Sequence, residues 1–253
     1  MTTHALSLEG IRAILFDLDG TLRHSCPSYN HAFFDFAAQL GVPGSQARRR
    51  AALRWAHYYF AHSPEIAEDY QALGHDEDLF LSNYLRRYLI AYGSAPERAG
   101  DLAPEIYRRM KESLEPKHWI DPAVPGTLEK LKRAGFTLGV VSNRTQPFTP
   151  LLEELGLGAY FEFALAAGEV NSFKPDEVIF QHAMERAGSC PECTMYVGDN
   201  YYADIVGAQR AGLQPVLLDP EGLFPDADCP VIRSLSELEG VLAGTRVNAD
   251  QHE

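Results

Sequence analysis

Four short apolar runs, each cut off by a small polar or acidic group, constrain this chain more than anything else in it. They are residues 11–16 before Asp17-Leu18-Asp19-Gly20, 136–141 before Ser142-Asn143, 194–197 before Gly198-Asp199, and 215–218 before Asp219. Runs with so little polar alternation fit strands covered on both faces, as in a parallel sheet. Parallel neighbours need crossovers, and helical patterns supply them. Residues 126–134 carry Leu128 and Leu131 at helical spacing with Gly135 as a stop, and 175–187 and 201–211 follow, the latter stopped by Gly212. The expected fold class is α/β, with a doubly wound parallel sheet running over about residues 121–242.

Residues 24–116 read differently. Phe33, Phe36 and Leu40 before Gly41, then Leu53, Tyr59 and Phe60, then Leu79, Leu85 and Tyr88, then Ile106 and Met110, cluster at helical spacing with no strand between them. This is the pattern of an all-helical insertion that separates the first strand from the rest of the sheet. The chain of 253 residues, 45% of them hydrophobic, is long enough to give both parts a core. The expected boundaries are 1–22 and 121–253 for the α/β core and 23–120 for the helical insertion, with the two lobes meeting over a cleft.

In open parallel sheets, ligands bind at the carboxyl ends of the strands. Alternating strands and helices would bring Asp17 and Asp19, Ser142 and Asn143, and Asp199 to one rim. Two carboxylates two residues apart on a glycine turn can divide the labour, one attacking an electrophile while the other moves protons. With Asp199 added, the acids would repel one another unless a divalent cation lay among them, and oxygen-only ligands favour Mg²⁺. Ser142, Asn143 and Lys174 offer a hydroxyl, an amide and a point charge for phosphate oxygens. An aspartyl-phosphate mechanism is coherent on these residues. For any single aspartate, a turn or helix cap would be explanation enough.

These residues resemble a known family. Asp17-Leu18-Asp19-Gly20-Thr21-Leu22 after a buried strand is similar to the first motif of the haloacid dehalogenase-like hydrolase superfamily. Val140-Val141-Ser142-Asn143 resembles its second motif, Lys174-Pro175 its third, and Gly198-Asp199 through Asp204 its fourth. Each motif is weak alone, and the ordered set is specific. The resemblance implies a Rossmann-like core and, in the phosphatase branch, a helical cap between the first and second motifs that closes over the site. It also implies roles. Asp17 would be the nucleophile and a Mg²⁺ ligand. Asp19 would be the general acid and base, with its backbone carbonyl on the metal. Ser142 and Lys174 would hold the phosphoryl group, Asp199 would be the third protein ligand, and Asp204 would steady the metal waters or Lys174.

The family's other chemistries leave different marks. Its dehalogenases lack an acid at the second position, which Asp19 provides. Its phosphonate-cleaving members use a cap lysine, and residues 23–110 contain none. The expected activity is therefore Mg²⁺-dependent hydrolysis of a phosphomonoester carried by a small phosphorylated metabolite. The alternatives are a sugar phosphomutase of the same family and a catalytically idle member acting as a binding module. Arg23, His24 and His31, close after the first motif, and Arg144, after the second, are candidates for substrate contact, against surface solvation or local hydrogen bonding. Asn200 reads as a helix cap.

The net charge of −13 excludes a phosphate-backbone partner such as nucleic acid and argues against an anionic membrane surface. Met1–Glu9 carries no basic flank leading into an apolar stretch, and no apolar run is long enough to span a bilayer. The expected location is the cytoplasm. Cys190-Pro191-Glu192-Cys193 lacks a second pair of ligands for zinc, so two thiols in a reduced compartment are expected. Nothing in the sequence sets an oligomeric state.

Overall fold

A computed structural model describes residues 10–74 and 76–249, the stretch 244–249 as backbone only. The segment read for a leader lies outside the described residues. The chain divides into a core unit, made of residues up to Arg23 and from Ile120 onward, and an inserted unit, His24–Trp119.

In chain order, β1 (Ala13–Phe16) is followed by the inserted elements: β2 (His24–Cys26), α1 (Tyr29–Gln39), α2 (Gln46–Phe60), α3 (Pro64–Leu73), α4 (Glu77–Ala91), α5 (Pro96–Ser113) and β3 (Lys117–Trp119). The core resumes with α6 (Ala123–Arg133), β4 (Thr137–Ser142), α7 (Thr149–Glu154), β5 (Phe163–Ala166), α8 (Ala167–Val170) and α9 (Glu177–Ala187). It ends with β6 (Thr194–Gly198), a π-helical turn (Tyr201–Ile205), α10 (Val206–Arg210), β7 (Gln214–Leu218), β8 (Val231–Ile232) and α11 (Leu238–Ala249). Among the described residues no helix is long and apolar enough to cross a membrane.

The core unit holds one six-stranded sheet in the order β5-β4-β1-β6-β7-β8, with every pairing parallel. All four residues of β1 are fully buried, which is why its sequence shows no polar alternation. The alternation is instead between two apolar layers. Ile14 and Phe16 join Leu128, Leu131, Val140 and Val197 on one face, while Leu15 joins Val141, Ile179, Phe180 and Tyr196 on the other. Strand order reverses about β1: β4 and β5 extend the sheet to one side, β6 to β8 to the other. Such a reversal opens a crevice at the carboxyl ends of the central strands.

The inserted unit packs five helices around aromatic side chains. Phe33 of α1 stacks on Tyr88 of α4 with ring centroids 4.2 Å apart. Buried Tyr59 donates its hydroxyl to Asp69 (2.8 Å), which also accepts from Arg87 (2.8 Å), so a buried acid is left with two partners. The helical insertion forms as expected, with one addition at its ends. Its two ends pair as an antiparallel ribbon, with His24 opposite Trp119 and Cys26 opposite Lys117. Three-residue strands carry too short a pattern to stand out among neighbouring helices.

One further expectation is corrected. Cys190 and Cys193 are joined by a disulfide, closing the short turn before β6. Pro191–Cys193 winds as a 3₁₀ turn, which brings the two residues together with Cα atoms 5.0 Å apart, within disulfide reach.

Candidate active site

The three central strands deliver the acids. The N–H of Asp17 donates to Val197 O (2.9 Å), so β1 keeps its place beside β6 for one more residue. The chain then turns sharply, with Leu22 and Arg23 N–H groups both donating to Leu18 O (3.1 and 2.9 Å). Leu18 and Leu22, both fully buried, pin this turn to the core. Gly20 makes it feasible: its φ is +103°, and a β-carbon there would collide with the Asp199 carboxylate. The outcome is that Asp17 is buried while Asp19, two residues on, is exposed.

Lys174 is the centre of the buried half. Its ammonium, 2% exposed as a residue, lies 2.7 Å from Asp17 Oδ1, 2.6 Å from Asp204 Oδ1, 2.9 Å from Tyr196 Oη and 3.3 Å from Val141 O. Its backbone is fixed by Asn143, whose amide N–H donates to Lys174 O (2.9 Å) and whose Oδ1 accepts from Lys174 N–H (2.7 Å). Asn143 was expected to offer its amide to phosphate. Both ends of that amide instead hold the Lys174 backbone, because a turn outside regular structure has unpaired backbone groups to satisfy. Ser142, the last residue of β4, is buried beside it in sequence.

Asp199 follows β6 and accepts from Thr21 Oγ1 (3.2 Å). Asp204 accepts from Asn200 N–H (2.9 Å), and Asn200 Oδ1 in turn accepts from the N–H groups of Tyr202 and Ala203 (both 3.1 Å). Asn200 thus caps the segment as expected, but its first turn is π-helical rather than α-helical.

Carboxylate oxygens of Asp17, Asp199 and Asp204 all lie within 4.8 Å of one another. Burial raises the Asp17 carboxyl to about 7. Lys174 pulls it down, but Asp204 and Asp19 add to the rise. Burial also raises Asp199 well above the usual range, with repulsion from Asp17 and Asp204 next. Burial opposes the charge on Lys174, yet Asp17 and Asp204 hold its pKa well above the ordinary lysine value. When all three carboxyls are ionised, one ammonium against them leaves this group with two negative charges in excess. An all-oxygen donor set with that excess fits one hard divalent cation, Mg²⁺ among them.

The side chain of Asp19 does not join that group. Its oxygens accept from Arg23 Nη1 (2.6 Å) and from Arg144 Nε and Nη2 (2.9 and 3.0 Å). Asp204, expected to steady the metal waters or Lys174, is the acid that lies beside Asp17 and Asp199 and binds Lys174. The carboxylate of Asp19 can face outward because Leu18 and Leu22, flanking it, face in. His24 belongs to the inserted unit, with its ring 5.5 Å from that of Trp119. Tyr196 and Thr21 were not singled out from the sequence. Tyr196 did carry a signal, as a phenol inside a strand buried on both faces whose hydroxyl must find a polar partner.

A family model for haloacid dehalogenase-like hydrolases matches residues 11–212. The phosphoserine phosphatase of Thermus thermophilus is 30% identical over 85% of this chain and 91% of its own length. The phosphoglycolate phosphatase of Salmonella typhi is 30% identical over 83% and 81%. Among solved structures, a 2-haloacid dehalogenase from Pseudomonas syringae superposes with a TM-score of 0.53 at 30% identity, covering 92% of this chain and 98% of its own. The chain therefore belongs to the haloacid dehalogenase-like hydrolases, within their phosphatase branch.

Proposed function

We propose that the protein is a Mg²⁺-dependent phosphomonoesterase for a small phosphorylated metabolite, working through a phosphoaspartate at Asp17. The observation that carries this is the buried group itself: a lysine bridging Asp17 and Asp204, with Asp199 close by and two negative charges in excess. Asp17, Asp199 and Asp204 are the side chains available to hold Mg²⁺ or its waters. When bound, the ion would neutralise the carboxylates and polarise the phosphoryl group.

In the first half of the reaction, a carboxylate oxygen of Asp17 attacks phosphorus and the bond to the leaving oxygen breaks. Asp19 gives that oxygen its proton. In the second half, a water oxygen attacks the phosphoaspartate, Asp19 takes the water's proton, and the Asp17 oxygen leaves. Ser142 and Lys174 hold the phosphoryl oxygens through both halves, the lysine kept in place by Asp204, Tyr196 and the Asn143 amide. Asp19 distinguishes this chemistry from that of a dehalogenase, which has no leaving oxygen to protonate.

The test is phosphate release from p-nitrophenyl phosphate and from a library of metabolite phosphates, with and without Mg²⁺. Turnover should need the ion and vanish in Asp17→Asn. Asp19→Ala should lose roughly 10²–10⁴-fold, as for removal of a general acid and base. Absence of metal-dependent release across the library overturns the reading, and bisphosphate-activated interconversion of sugar phosphates would replace it with a mutase.

A further inference from the structure

Asp219 stands after β7 as Asp17 and Asp199 stand after β1 and β6, yet it is not among the carboxylates gathered at Lys174. It is buried, and both its oxygens are committed to its own loop. Oδ1 accepts from Leu223 N–H and Oδ2 from Phe224 N–H, each at 2.8 Å. Residues 219–230 form neither helix nor strand, so the carboxylate does for these backbone groups what a ladder would do elsewhere. Phe224, buried in turn, is fixed against the segment that follows β6. Its ring stacks on Tyr201 with centroids 4.9 Å apart and planes 17° from parallel, and it meets Tyr202 edge-on at 5.8 Å. Tyr201 Oη also donates to Asp228 Oδ1 of the same loop (3.2 Å). These two tyrosines open the π-helical turn, in which Val206 N–H reaches back five residues to Tyr201 O. Asp199 lies just before that turn and Asp204 within it.

We propose that Asp219 and Phe224 are positioning residues for the cation site. The Asp219 carboxylate sets the loop, the Phe224 ring clamps Tyr201 and Tyr202, and the clamped turn holds Asp199 and Asp204 where a Mg²⁺ ion can use them. The inference rests on the proposed Mg²⁺-dependent reaction. Asp17, Asp199 and Asp204 bring oxygens within 4.8 Å of one another, and when ionised they repel. A π turn is an uncommon, locally irregular element, and packing from outside has to keep it in shape against that repulsion. Stacked rings resist tilting as well as filling space. Packing alone would be served by any apolar side chain of similar size and would not need a buried carboxylate, which is costly.

Calorimetric titration of Mg²⁺ into the substrate-free protein tests this, alongside turnover of p-nitrophenyl phosphate against Mg²⁺ concentration. Asp219→Asn, which leaves one good acceptor for two N–H groups, and Phe224→Leu should each weaken Mg²⁺ binding about ten- to a hundredfold, as removal of an outer support of a metal site does. Saturating Mg²⁺ should restore most of the turnover, because the bound ion itself draws the acids together. Phe224 is buried and its replacement also lowers stability, so the half-buried Tyr201 carries the decision. Tyr201→Leu should weaken Mg²⁺ binding, while Tyr201→Phe, which keeps the stacked ring, should bind as the wild type does. Val124→Ala and Leu131→Ala, buried core changes in α6, give the Mg²⁺ affinity that a loss of Tm alone produces. Binding that is unchanged in Tyr201→Leu, equally weakened in Tyr201→Phe, or no weaker than in the α6 variants overturns the positioning role and leaves the phosphatase reading standing. Absence of Mg²⁺ binding and of Mg²⁺-dependent turnover in the wild type overturns both.

Discussion

An ammonium has three N–H groups, and Lys174 distributes them among four oxygens from four different parts of the chain: Asp17, Val141, Tyr196 and Asp204. Such sharing is tolerable only because the lysine is otherwise dry, where an unpaired charge costs far more than an imperfect hydrogen bond. The same dryness sets the protonation of Asp17. Its carboxyl is raised from 3.8 to about 7, so without a cation it holds a proton in slightly acidic solution. For a carboxyl raised in this way, the stabilising contribution is complete below its unfolded value. It is lost as pH rises through about 7. A divalent cation competes with that proton. Titrating Mg²⁺ into the protein near pH 6, in two buffers of different ionisation heat, should therefore show release of at least one proton per ion, with fewer released as pH rises past about 7. Absence of proton release near pH 6 would mean that Asp17 is already ionised when the cation arrives.

At the scale of elements, the end of β6 is the most crowded point of the site. A β-carbon on Gly198 would collide with the Asp204 carboxylate, so Gly198→Ala should push Asp204 away from Lys174. Turnover should fall about a hundredfold, as for a displacement of roughly 1 Å in a positioned group. Thermal unfolding should report a loss of about 1–3 kcal/mol for the overpacked strand end. Unchanged turnover would show that Asp204 does not need its lysine. The sequence displayed β1, β4, β6 and β7 clearly, because each is a buried run ending in a polar residue. It hid β5, whose Phe-Ala-Leu-Ala carries no β-branched residue and reads equally well as helix, and β8, which is two residues long. Asp17, Asp199, Asp204 and Lys174 were legible because ordered motifs mark them. The commitment of Asn143 to a backbone was not, since an amide in a loop looks the same whether it faces a ligand or a peptide. Nor was the disulfide, because two cysteines three residues apart fit a bond, a metal or two thiols until the turn between them is known.

For the whole molecule, the net charge of −13 and the phosphate ester are compatible. The site gathers its own counter-charge in Lys174 and, outside the buried group, in Arg23 and Arg144. The helical insertion was legible as a change of period, but the ribbon that ties its ends was not. That ribbon yields a direct expectation. His24 and Trp119 are paired across it, so the chain leaves and rejoins the core unit at neighbouring points. Replacing residues 24–119 by a short Gly/Ser linker should leave a core that unfolds cooperatively and is still raised in Tm by Mg²⁺. Loss of the cooperative transition would show that the core depends on the inserted helices for stability. The paired ends also bear on how the core assembles. A flexible loop as long as the insertion would oppose the meeting of β1 and β4 by about 4 kcal/mol of closure entropy, on the (3/2)RT ln n scaling. Once its own helices have packed and its first and last strands have zipped, that separation shrinks to a single rung. To the sheet, a domain's length of chain then counts as a tight turn.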